Sequence, residues 1–476
     1  MNLQGAAPLV ILTILAGGLP GVVAIKRCYR LISAVAGLGL MAALLSIPYA
    51  LQAPVPALPA MFTFNALSLG FIGLILVSAL LILILASTYW QAETPLRREE
   101  YPLLFVAGIL GATVLAAAAN FMMLFIGLET MTLAMIGMIA YPLFRPGAEE
   151  AGMKYLVLSG MSSSFVLFGI GLIELSSGSL DIAQIIAATP ADAASREMLI
   201  AGLAMLAIGT GFKLSVVPFH IWVPDVYAGA PAPTGAYVAV IAKLGVLAIL
   251  IRVINLPGVS LPASVQTLIT VIAILSMLAG NLLALLQDNL KRILGYSSIA
   301  HLGYLLVAIL AAGTIGQVAV VFYIVAYAIT MIGAFGVISV LSRSSAARDV
   351  DKVLELRGLF WTRPALAAVM TLFLLSLAGI PPALGFIAKM YIMAAGVHTQ
   401  LWGLLAIMVV SGVIGLFYYL NIILVMSMKP HTDEALPGVL AISIPNRLAI
   451  AMVSLPILAF GIAPSPLIAL LKLMFD

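Results

Sequence analysis

Five titratable side chains fall inside apolar runs long enough to cross a bilayer: Glu129, Lys213, Lys243, His301 and Lys389. An ionisable group at the centre of a bilayer helix costs about 2.5–3.5 kcal/mol on insertion scales. Such groups face a bundle interior, pair with one another, or line water. Each has a plain structural reading, a Lys–Glu pair as packing glue or a histidine as a hydrogen-bonded core residue. Three lysines against one acid shift the balance toward function, because two of them lack an obvious fixed counter-ion. Burial favours the neutral form of a lysine and a neighbouring carboxylate favours the charged form, so such groups are poised to hand protons on.

Helix breakers flank two of these lysines. In "GTGFKLSVVPFHIWVPDVYAGAPAP" (209–233), Pro218 and Pro224 are expected to break a span about a turn beyond Lys213. In "LAGIPPALGFIAKM" (377–390), Gly379, Pro381, Pro382 and Gly385 interrupt another just before Lys389. A broken helix survives in a membrane only where protein or water satisfies the freed backbone. Paired broken helices at matching places in two halves mark inverted repeats and an ion path. Around these lie weaker signals. His220 follows the first break and reads as proton uptake or simple hydrogen bonding. In "QDNLKRILGYSSIAHLGY" (287–304), Lys291 and Arg292 sit at a span edge, and Tyr304 is three residues beyond His301 on one helix face. Asp225 reads as a turn or cap residue, and "DIAQIIAA" (181–188) as a short interfacial helix.

The elements that must carry these groups follow from composition. Hydrophobic residues make up 63%, charged residues 8%, and mean hydropathy is +1.21. A soluble domain carries about 25% charged residues, so this chain cannot cover a water-facing surface. Continuous apolar runs rather than alternation exclude a β-barrel and leave an all-α membrane protein. Fourteen spans are expected, near 8–25, 31–49, 68–88, 102–119, 121–142, 154–175, 197–217 and 235–251, then 264–286, 293–312, 316–341, 365–394, 403–427 and 448–471. The seventh and twelfth are the broken ones. Spans four to eight and nine to thirteen then form two inverted five-helix repeats, giving units 1–100, 101–255, 256–430 and 431–476. Placing the first connection in the cytoplasm puts sixteen Lys and Arg there against three outside, Arg97, Arg145, Arg343 and Arg348 among the sixteen. Both termini are therefore expected on the periplasmic side. The single cysteine, Cys28, excludes an internal disulfide or cysteine-held cluster, and no metal-ligand spacing, dinucleotide fingerprint or phosphate loop is present. Metal and cofactor are expected to be absent from this chain, nucleic acid is no partner, and the driving energy must come from elsewhere.

Four stretches, "GFKLSVVPFHIWVPDVYAGAPAP", "NLKRILGYSSIAHLGYLL", "GLETMTLAMIGMIAY" and "SLAGIPPALGFIAKMYI", resemble the antiporter-like subunits of respiratory complex I, the proton-pumping NADH:quinone oxidoreductase. The resemblance runs from about residue 100 to 425. It implies that Glu129 and Lys213 are the family's glutamate–lysine pair, Lys243 the connecting lysine and Lys389 the terminal lysine. His301, with Lys291 nearer the surface, matches polar residues of span ten; Lys154 matches a further lysine, for which snorkelling to the interface is the simpler account. It also implies a bacterial plasma membrane and, as partners, a neighbouring antiporter-like subunit and small quinone-side membrane subunits. Protons would pass from the cytoplasm through Lys213, Lys243, His301 and Lys389, with Glu129 setting the charge of Lys213 and quinone reduction elsewhere driving the cycle. Two alternatives share the fold and lysines: a multisubunit sodium/proton antiporter and a membrane-bound hydrogenase. A third is a membrane scaffold whose charges only fix packing.

Overall fold

Backbone polar groups in an apolar chain of this kind must be satisfied internally, and α-helices do so within one segment. The computed structural model describes residues 3–53, 61–92, 98–142, 145, 147–187, 192–254, 262–311, 313–342, 349–430 and 443–475. Among them the chain is helical, with isolated bridges the only extended pairing. The expected charges Arg97, Arg343 and Arg348, and the unit boundaries at 255/256 and 431, lie outside the described residues.

In chain order the helices begin with α1 (Ala7–Ile25), α2 (Tyr29–Leu45), α3 (Ile47–Ala50), α4 (Ala66–Ala92) and α5 (Tyr101–Ala117). Then come α6 (Phe121–Ile139), α7 (Ala148–Ser177), α8 (Ile182–Ala187), α9 (Ala193–Leu214) and α10 (Trp222–Gly229). The second half has α11 (Ala232–Ile254), α12 (Ala263–Ala284), α13 (Leu290–Leu310), α14 (Gly313–Ser342) and α15 (Leu359–Thr362). It ends with α16 (Pro364–Ala378), α17 (Leu384–His398), α18 (Trp402–Ser427), α19 (Ile444–Ile462) and α20 (Ser465–Lys472). Twelve helices among the described residues are long and apolar enough to cross a membrane; α5, α16 and α17 are shorter apolar helices.

Burial separates an inner layer from an outer one. In α14, α13 and α11 the most apolar stretch is 94%, 89% and 83% buried, whereas in α2, α7, α12 and α18 it is 22–33%. A helix apolar on every side and buried on every side belongs at the centre of a bundle. Lys243 on α11 and His301 on α13 are therefore central by virtue of their helices. Small residues let neighbouring helices approach closely. At the α5–α6 crossing, a Cβ on Gly111 would lie 2.4 Å from the Met131 nitrogen, and one on Gly127 2.7 Å from the Leu115 nitrogen.

Helix ends are placed by local chemistry. Asn120 accepts from the Met123 amide (2.8 Å) to start α6, and Asn289 accepts from the Arg292 amide (3.0 Å) to start α13. Both expected breaks occur. α9 ends at Ser215, which is left-handed (φ 65°), and α16 ends at Gly379, also left-handed (φ 80°). The first break, however, occupies 215–221, and Pro224 does not belong to it: Pro224 lies in the first turn of α10. A proline there loses no helical hydrogen bond, because first-turn amides have no intrahelical acceptor.

Candidate functional site

Lys213 stands in the last turn of α9, 3% exposed, where the helix dipole favours a cation. Its ammonium donates to Thr132 Oγ1 on α6 at 2.5 Å and lies 5.5 Å from the Tyr155 ring centroid. Glu129, one turn before Thr132, accepts instead from the Ser163 hydroxyl of α7. No ion pair within 4.0 Å joins Glu129 to Lys213; each group holds a hydroxyl instead.

Lys243 is 1% exposed and has no carboxylate beside it. It donates to the Ser298 hydroxyl of α13 and to Tyr327 of α14 (3.4 Å). Tyr327 in turn donates to Ser298 at 2.7 Å. One turn along α13 from Ser298, His301 meets the Tyr323 hydroxyl at Nδ1 (2.7 Å) and the Tyr419 hydroxyl at Nε2 (3.4 Å). A small cavity lined by His301, Tyr327, Thr330 and Ser376 has room for about one water. Ser376 shares a hydrogen bond with Thr330 (3.1 Å) and accepts from the Gly385 amide (3.1 Å), joining the cavity to the second break.

At that break Lys389, on α17, donates to the carbonyls of Leu377 (3.0 Å) and Ala378 (2.9 Å), the last residues of α16. Its counter-charge is thus the negative end of a half-helix. Two charge-assisted hydrogen bonds contribute about 1.5–3 kcal/mol each, comparable to the cost of the buried ammonium. That balance explains a lysine with no acid. Tyr304 lies beneath it, ring centroid 5.1 Å from Nζ, and its hydroxyl accepts from Asn281 and meets Ser411. Hydroxyls and the small cavity thus lead from Lys243 past His301 to the Lys389 break, while Lys213 is held separately by Thr132.

The supporting residues fare differently. His220 is half-buried between the half-helices, and its Nδ1 is without a hydrogen-bond partner among the described residues. Lys154 does not simply reach for water: it pairs with Glu150 (2.6 Å) and Asp225 (2.9 Å). Asp225 also binds Arg292 at 2.8 Å, so it is an ion-pair centre rather than a turn residue or cap. Lys291, expected at a solvent edge, is 3% exposed and pairs with Asp349 (2.9 Å) while donating to the Ala230 carbonyl. Asp349 also takes Arg145 (2.9 Å) and the Tyr89 hydroxyl (2.6 Å). Burial alone would push the Asp349 carboxyl up, but Lys291 and Arg145 outweigh it and hold it below its usual range. Thr132, Ser298, Tyr323, Tyr327, Ser376 and Asp349 were invisible in the sequence, because hydroxyls are common in membrane helices and Asp349 stands in a polar connection.

Comparison with known proteins places these features in context. A family model described as NADH:quinone oxidoreductase/Mrp antiporter, transmembrane, matches residues 118–415. NADH-quinone oxidoreductase subunit N of Ectopseudomonas mendocina is 43% identical over 411 residues, 86% of this chain and 83% of that protein. The subunit of the same name from Methylococcus capsulatus is 38% identical over 470 residues, 98% of this chain and 94% of that one. Among solved structures, a chain of respiratory complex I from Thermus thermophilus with bound aureothin superposes with a TM-score of 0.82 at 28% identity, covering 97% of this chain and 98% of that one. A chain of an archaeal membrane-bound sulfane sulfur reductase gives 0.86 at 25% identity, covering 98% and 96%. A chain of the Mrp complex from Dietzia shares the fold, with a TM-score of 0.84 at 21% identity over 100% and 97%.

Proposed function

The chain belongs to the subunit N family of NADH-quinone oxidoreductase, the antiporter-like membrane subunits of complex I, and from that premise we propose that it carries protons along the polar line from Lys213 to Lys389. The observation that carries this reading is the continuity of the line's Lys243-to-Lys389 part through the most buried helices. Lys243, Ser298, Tyr327 and His301 are joined or adjacent there, and a one-water cavity leads on to Ser376 and the Lys389 break. Hydroxyls both accept and donate, so each can pass a proton between a lysine and its neighbour without itself carrying charge. Glu129, one turn from Thr132, is placed to draw Lys213 toward its charged form when the two approach and to release it when they part. Redox energy is supplied elsewhere in the complex, through contacts with other membrane subunits, a neighbouring antiporter-like subunit and small quinone-side subunits among them.

The architecture fits two five-helix repeats, 101–255 and 256–430, flanked by 1–100 and 431–476. Its support is the identical construction of the two breaks. At each, the left-handed residue's amide bonds back to the fourth-preceding carbonyl (Ser215 to Gly211, Gly379 to Leu375), and the next residue's amide shares that acceptor. Adding α5 and the broken pair α16/α17 to the twelve long helices gives fourteen crossings. Both termini then face the periplasm of a bacterial plasma membrane.

The test is Lys243→Met in the whole complex reconstituted into vesicles. Proton pumping per NADH oxidised should fall while assembly persists, and wild-type pumping should be unchanged when sodium is replaced by choline. A variant that loses thermal stability but pumps fully would return the lysine to a packing role. Sodium-dependent charge transfer would instead identify the ion wrongly assigned.

A further inference from the structure

We propose that the polar cleft between α7, α10 and α13, lined by Glu150, Lys154, Asp225 and Arg292, is the aqueous mouth leading to Lys213, and that the stacked rings of Tyr155, Trp222 and Phe212 beneath it are its closed gate. This rests on the reading that Lys213 takes up protons.

Geometry supplies the first argument. The cleft holds about 300 Å³, enough for several waters. Its wall residue Ala151 lies one turn from Tyr155 on α7, and Asp225 lies one turn from Trp222 on α10. The aromatic rings are therefore its floor. Their centroids are 4.9 Å (Tyr155–Trp222), 5.3 Å (Phe212–Trp222) and 6.2 Å (Tyr155–Phe212) apart. Lys213 Nζ rests against two of the same rings, 5.5 Å from Tyr155 and 5.7 Å from Phe212. The route from the cleft to the lysine thus runs past these three rings.

The charges in the cleft are of the right kind. Asp225 is shared by Lys154 and Arg292, and Lys154 also holds Glu150, with side chains 28–68% exposed. Hydrated ion pairs of this sort contribute little to stability and rearrange readily. The Asp349 cluster, with Asp349 and Lys291 only 2–3% exposed, is the opposite case and serves packing. A positional argument points the same way. Asp225 stands ten residues beyond the left-handed Ser215, and Lys389 stands ten beyond the left-handed Gly379. Each break is thus followed by a charged side chain ten residues on, at the fourth residue of α10 and the sixth of α17.

The experiment uses the complete complex in inverted vesicles, with Cys28→Ser as background. Ala228→Cys, half-exposed in the cleft wall, is treated with a membrane-impermeant cationic methanethiosulfonate, and protons pumped per NADH oxidised are compared before and after in the same vesicles. Modification, verified by mass spectrometry, should lower the ratio to that of Lys213→Ala. Glu149→Cys, exposed beside the cleft but outside its lining, should show no change on modification. An unchanged ratio in modified Ala228→Cys, with Lys213→Ala impaired, overturns the mouth and leaves the path standing. Full pumping in both overturns the path itself.

Discussion

Lysines inside apolar runs announce themselves, but their partners do not. Charge at the membrane centre is costly enough to mark Lys213, Lys243 and Lys389 in any reading of the chain. What holds them is a set of hydroxyls and carbonyls from distant segments, such as Ser298 on α13 for Lys243 on α11. Nothing about a serine in a membrane helix distinguishes such a partner from one that bonds its own helix, as Ser164 does to Gly160. The Thr132 hydroxyl that holds Lys213 has a testable weight. Thr132→Val keeps the shape and removes the acceptor. A charge-assisted hydrogen bond contributes about 1.5–3 kcal/mol, so the variant should lose thermal stability of that order and pump fewer protons per NADH oxidised. Parent-like stability and pumping would assign Thr132 no such part.

At the scale of elements, the breaks matter because they turn helix ends into ligands. The carbonyls freed at the end of α16 are taken by Lys389, and the Phe212 carbonyl at the end of α9 by the Trp222 indole (3.1 Å). Proline and glycine made both breaks legible. Which prolines did the breaking was not legible, since Pro224 inside the first turn of α10 carries the same letter as Pro218 in the gap. Gly379→Ala should be destabilising by about 1–2 kcal/mol from the left-handed backbone alone. Its Cβ would also come within 2.7 Å of Lys389 Cδ, so pumping should suffer beyond the stability loss. Ser215→Gly, which relieves the same conformation at the first break, should hold or raise the melting temperature of the detergent-solubilised complex. A lower melting temperature would show that the Ser215 side chain matters more than its backbone.

Across the whole molecule, Asp349 ties three parts of the chain that are far apart in sequence: Tyr89 of α4, Arg145 before α7, and Lys291 of α13. Long-range pairs of this kind leave no trace in local pattern, and Lys291 looks from sequence like an ordinary interface charge. Removing one partner of a buried ion pair costs about 3–5 kcal/mol, so Asp349→Asn should lower thermal stability at neutral pH. Because its carboxyl is held below the usual range of about 3.9, its contribution is present above that value and is lost only as pH falls through the lower folded value. The parent should therefore show no loss from this group between about pH 8 and 5, and the variant a shallower decline at acid pH. A variant as stable as the parent at pH 7 would remove the cluster from the account. The helical, multi-pass architecture was legible from composition, whereas the central placing of α11, α13 and α14 emerged only from burial. The claim on which everything else depends is that Lys213 lies on the path of the proton. Protons pumped per electron by assembled Lys213→Ala complex in sealed vesicles measure it directly: the account predicts a reduced ratio with assembly intact, and a ratio equal to the parent's would contradict it.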